Sequence, residues 1–124
     1  MRNSFETINI KGAKAIKAFA FSRCYSLKQA KIEAESIEKC VFAYCKNLES
    51  VYLKNVKKCD IDLFADCTNL KTVYMEGCEN MEEVCEKYKN INFISTSIDE
   101  LIITYKSFKD INATYNKFNE DFEK

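Results

Sequence analysis

Phe42-Ala43-Tyr44-Cys45-Lys46-Asn47-Leu48-Glu49-Ser50-Val51-Tyr52-Leu53 decides the fold of this chain, because the chain says it more than once. Twenty-two residues later stands Phe64-Ala65-Asp66-Cys67-Thr68-Asn69-Leu70-Lys71-Thr72-Val73-Tyr74-Met75, and twenty-one residues earlier Phe21-Ser22-Arg23-Cys24-Tyr25-Ser26-Leu27-Lys28-Gln29-Ala30-Lys31-Ile32. The shared frame is F-x-x-C-x-x-L-x-x-V-x-L, three times without a gap. Weaker copies flank it. Upstream, Phe5, Ile8 and Ile10 lie 22 residues before Leu27, Ala30 and Ile32; downstream, Tyr88 takes the cysteine place and Ile91 the leucine place. Five rungs follow, near residues 5–10, 27–32, 48–53, 70–75 and 91–96.

A coil of 21–22 residues cannot bury its own apolar face, but stacked copies can, and matched residues then form ladders along the stack. Val51 and Leu53 alternate with Ser50, Tyr52 and Lys54, the period of a strand with one face buried. Successive strands pair in parallel about 4.8 Å apart. Phe21, Phe42 and Phe64 form a second ladder under the opposite wall. The expected fold class is therefore an α/β repeat solenoid, its coils presenting a parallel β-sheet face and closed by a C-terminal α-helix.

These residues resemble the BspA-like (treponemal-type) leucine-rich repeats, whose coils read roughly I-g-x-x-A-F-x-x-C-x-x-L-x-x-V-x-L. Ile16, Ala20, Phe21, Cys24, Leu27 and Ile32 fit that pattern, as do Ile37, Phe42, Cys45, Leu48, Val51 and Leu53. The third coil departs from it, with Cys59 for the isoleucine and Leu63 for the alanine, and the proline after the strand is missing. The resemblance covers about residues 5–96. It implies a curved solenoid with a strand-lined face and a protein-binding use, often at microbial or protist surfaces.

After Thr96 the period changes. Ser97-Ile98-Asp99-Glu100 fits a capping box. Ile98, Leu101, Tyr105, Phe108, Ile111, Tyr115, Phe118 and Phe122 then follow at spacings of three and four, one apolar helical stripe. Residues 97–124 read as a C-terminal capping helix or helices over the last coil, within a single domain of 1–124. A further reading docks the second half of the stripe on a partner or a second copy.

Composition narrows the chemistry. The 124 residues hold no histidine, so catalytic triads, Cys–His dyads and His-ligated metals cannot form within the chain. Two glycines, Gly12 and Gly77, do not make a phosphate-binding loop. The seven cysteines and the lack of an apolar leader suit free thiols and a cytoplasmic setting. Cys24, Cys45 and Cys67 are one ladder. Cys40, Cys59, Cys78 and Cys85 contain no close pair of the zinc-site kind, so neither a metal nor another cofactor is expected. Net charge is zero, yet residues 1–62 carry 12 Lys+Arg against 7 Asp+Glu, and residues 63–124 carry 7 against 12. No membrane span and no nucleic-acid pattern accompany this dipole.

The outward strand positions are the candidate binding residues: Tyr52 beside Tyr74, with Phe93 one rung on, and the charged Lys31, Glu33, Lys54 and Glu76. Outward aromatics on such a sheet have no core role and are what binding hot spots use. The expected function is a non-catalytic protein-binding repeat module or complex subunit. Its rivals are a truncated cell-surface adhesin-like repeat protein, a small enzyme using carboxylate or cysteine chemistry, and a structural assembly part. A protein partner is expected, together with a possible homo-oligomer through the open N-terminal coil or the C-terminal helix.

Overall fold

The structure, a computed structural model, describes residues 5–75 and 78–94. Its strands run in the order β1 (Thr7–Ile16), β2 (Gln29–Ile37), β3 (Ser50–Lys54), β4 (Lys58–Cys59), β5 (Thr72–Met75) and β6 (Asn92–Ile94). Among the described residues one short helix, α1 (Met81–Lys87), lies between the last two strands. All pairing is parallel, along the path β1-β2-β3-β5-β6, with β4 beside β2. The chain is a solenoid, and its five main strands fall on the five rungs of the repeat.

Each coil closes by the same local bonds. The leucine amide of every frame donates to the cysteine carbonyl three residues before it: Leu27 to Cys24, Leu48 to Cys45 and Leu70 to Cys67, all at 3.2 Å. Just ahead of each cysteine the backbone turns left-handed, at Arg23 (φ 62°), Tyr44 (φ 62°) and Asp66 (φ 58°). Asparagine side chains tie neighbouring turns together, Asn47 donating to the Tyr25 carbonyl at 2.6 Å and Asn69 to that of Lys46 at 2.7 Å.

The core is the set of ladders that the frame implies. Leu27, Leu48 and Leu70, Ile32, Leu53 and Met75, and Ala30, Val51 and Val73 are all buried in one cluster. Phe42 is stacked between Phe21 and Phe64, both pairs of ring centroids 5.9 Å apart. The cysteines make a ladder of their own. The Cys45 thiol donates to the Phe21 carbonyl at 3.0 Å and the Cys67 thiol to that of Phe42 at 2.9 Å. In the next coil Tyr88 holds the cysteine place, and its hydroxyl does the same task by donating to the Ile61 carbonyl.

Strands β1 and β2 outrun the rungs read from the sequence because their pairing continues to Ile16 and Ile37, where β4 joins β2. Opposite Glu33, β1 carries two residues, Lys11 and Gly12, so that Ile10 pairs with Ile32 but Ala13 with Ala34. Gly12 makes this bulge possible, with φ at +66°.

The last rung differs from the expected register. Val73 pairs with Phe93 and Tyr74 with Ile94, not Val73 with Ile94. Two residues separate Leu70 from Val73, but one separates Ile91 from Phe93. The last coil is shorter by a residue, and a one-residue slip exchanges the faces of a strand. The C-terminal helix read over residues 97–124 lies outside the described residues.

Candidate functional site

Pairing across the sheet builds one outward column, Asn9–Lys31–Tyr52–Tyr74–Ile94. Polarity falls along it, and so does exposure. Asn9 is exposed and Lys31 half-buried, while Tyr52 is 9% exposed, Tyr74 2% and Ile94 1%. The tyrosines stack as neighbours, ring centroids 5.9 Å apart and planes 24° off parallel. The Lys31 ammonium lies 5.6 Å from the centre of the Tyr52 ring, close enough for a cation–π contact.

This corrects the expectation of an exposed aromatic pair. Tyr52 and Tyr74 do face away from the main core and do lie side by side, but they are buried. The alternation of a strand specifies which face a side chain takes, not whether that face is open to water. Here Lys31 flanks the stacked rings on one side and Ile94, itself buried, pairs with Tyr74 on the other. Phe93 is corrected too. Through the shorter last coil it points inward, half-buried against the core, and lines one hollow with Met81 and Cys85 of α1.

Of the charged candidates, Lys31 stands in that first column, while Glu33 and Lys54 share a second outward one. Glu33 stands beside Lys54 and opposite the Lys11–Gly12 bulge. Its carboxylate accepts from the Gly12 amide at 2.9 Å and from the Asn55 side chain at 3.2 Å. Asn55, like Gly12, is left-handed (φ 59°). Glu33 therefore tethers two turns of backbone, a structural task that sequence reading did not give it. Lys54 is exposed, and Glu76 lies outside the described residues. Asn9, Ile10, Lys11, Lys31, Glu33 and Lys54 together line a hollow of about 200 Å³. Its rim carries three ammonium groups against one carboxylate already engaged. Such a place attracts acidic groups.

Sequence reading passed over a second exposed set, at the turns. Phe19, Tyr25 and Tyr44 are exposed, the Arg23 guanidinium lies 4.5 Å from the Tyr44 ring centre and the Lys39 ammonium 5.9 Å from that of Phe19. The signal for Tyr25 and Tyr44 was their place next to the frame cysteines Cys24 and Cys45, and Phe19 stands two residues before the frame phenylalanine Phe21. At the first rung Ile8 and Ile10 are half-buried and Phe5 is exposed. Among the described residues no three candidate ligands gather as a metal site would require, and no helix is long and apolar enough to cross a membrane.

A family model described as the BspA type leucine rich repeat region matches residues 1–121, in 6 copies. No curated protein and no solved structure matches the chain.

Proposed function

Since the chain belongs to the BspA-type leucine-rich repeat family, we propose that it is a non-catalytic protein-binding module that docks a partner on the open, basic half of its strand face. Repeat solenoids serve generally as extended recognition surfaces, which supports the broad reading. The observation that carries the finer one is the hollow of about 200 Å³ rimmed by Lys11, Lys31 and Lys54. The Glu33 tether holds the bulge beside it, and the Lys31 ammonium lies over the buried Tyr52 ring. The partner presents carboxylates there. Lys31 and Lys54 are the contact residues, Tyr52 and Tyr74 support them from within, and Phe93 belongs to the core.

Affinity capture with the wild type and with Lys31→Glu/Lys54→Glu, repeated across salt concentration, tests this. The reversed pair leaves the circular dichroism unchanged. One or more proteins held by the wild type at low salt are lost both on charge reversal and on raising the salt. An identical set of captured proteins from the two forms overturns the assignment of the face.

A further inference from the structure

The thiols divide by environment. Those of the ladder are buried or half-buried in the packing, and Cys45 and Cys67 each donate to a carbonyl of the preceding coil. Burial pushes Cys45 up to about 11 and Cys67 up to about 12, which keeps them protonated and inert at neutral pH.

Cys59 and Cys78 are different. Their sulfurs lie 3.6 Å apart, although 19 residues separate them in the chain. Cys59 is 2% exposed, and Cys78 is half-buried. Asn80 sets the approach. Its side-chain amide donates to the Cys59 carbonyl at 2.6 Å, while its oxygen accepts from the Cys59 amide at 3.2 Å and from the Cys78 thiol at 3.2 Å. One asparagine thus grips both main-chain polar groups of Cys59 and the sulfur of Cys78. It is a positioning residue for the pair.

We propose that Cys59 and Cys78 are a reversible dithiol site, which small disulfides of the glutathione type oxidise by exchange to an intrachain disulfide across successive coils. Closure brings the sulfurs from 3.6 Å to a bond length of about 2 Å.

The two cysteines take different parts. A hydrogen bond from the Cys59 thiol holds Cys78 down to about 7, against burial and the charge of Glu79. The same bond, with burial and the charge of Asp60, pushes Cys59 far above the ordinary thiol range. Cys78 is the more exposed sulfur and the nucleophile. Its thiolate attacks one sulfur of the small disulfide, breaks the S–S bond and expels one small thiolate, leaving a mixed disulfide. Cys59 then gives up its proton, attacks the Cys78 sulfur and expels the second thiolate. Two electrons pass from the pair to the small disulfide, and the two protons end on the two small thiols.

The test uses the whole chain and oxidised glutathione at neutral pH, with rapid alkylation and peptide mass spectrometry. The wild type should lose the mass of two hydrogens, retain no glutathione, and yield a Cys59–Cys78 crosslinked peptide that dithiothreitol releases. Without oxidant, Cys78 should alkylate at least about tenfold faster than Cys45 or Cys67. Cys59→Ala should trap one glutathione on Cys78. A stable glutathione adduct on the wild type, a Cys78–Cys85 crosslink, or labelling of Cys78 no faster than the ladder thiols each overturns the proposal. The wild-type peptide map decides the matter even where Cys59→Ala fails to fold.

Discussion

Replacing Phe42 by leucine measures the aromatic ladder directly. Phe42 is fully buried and stacked on both faces, against Phe21 at an interplanar angle of 16° and Phe64 at 17°. Leucine keeps most of the apolar burial but forfeits both ring contacts. At about 0.5–1.5 kcal/mol for each contact, Phe42→Leu should cost about 1–3 kcal/mol. Phe21 is half-buried and is stacked on Phe42, so Phe21→Leu forfeits one contact and should cost about 0.5–1.5 kcal/mol. Phe42→Ala adds a cavity between coils and should cost about 3–5 kcal/mol, a large share of the ~5–15 kcal/mol that holds a typical domain together. Coupling adds a sharper criterion. Phe42 and Phe64 touch, so the double leucine variant should depart from additivity by about 0.5 kcal/mol or more. Urea melts followed by circular dichroism give these values, with unchanged m-values as the check that the coils still unfold together. A Phe42→Leu cost no greater than that of Phe21→Leu would refute the ladder, because an isolated buried ring carries no advantage for a central place in a stack.

Three further outcomes follow from the same geometry. Tyr74→Ala should destabilise by about 3 kcal/mol because the ring is buried, and a cost below about 0.5 kcal/mol in the same melts would mean that this face is open to water. Asp66, left-handed at φ 58°, should accept glycine with no loss and up to about 1 kcal/mol gain, whereas Asp66→Val should cost about 1–2 kcal/mol; a silent valine would remove the turn from the repeat. Stability should fall as pH rises above 9, because Cys45 and Cys67 hold their protons in the fold to about 11 and about 12 while the unfolded chain releases them near 9.0; Cys45→Ala/Cys67→Ala should flatten that slope, and an unchanged slope would assign it to other groups.

The fold was legible because a stack of coils repeats its demands. Every rung needs a side chain of similar size at the same height, so Phe21, Phe42 and Phe64 or Leu27, Leu48 and Leu70 recur at the repeat interval. The same logic put Tyr52 beside Tyr74. Periodicity stops being informative where an apolar residue stands on both faces. Ile91, Phe93 and Ile94 satisfy either register of the last strand, and only the lost residue between Ile91 and Phe93 turns the phenylalanine inward. Openness was not legible either, since burial of the tyrosine face depends on what packs over a strand and not on its own alternation. Glu33 looked like one more outward charge because the bulge it binds is a departure from the period. The dithiol hides for a related reason. Cys59 and Cys78 are 19 residues apart, whereas the partner that stands across from Cys59 at the repeat interval is Asn80, 21 residues on. Matching residues by period pairs a cysteine with an asparagine and passes over the second sulfur. It is the asparagine's grip on the Cys59 backbone that draws the two thiols together, so the site arises from a contact between non-equivalent positions of neighbouring coils.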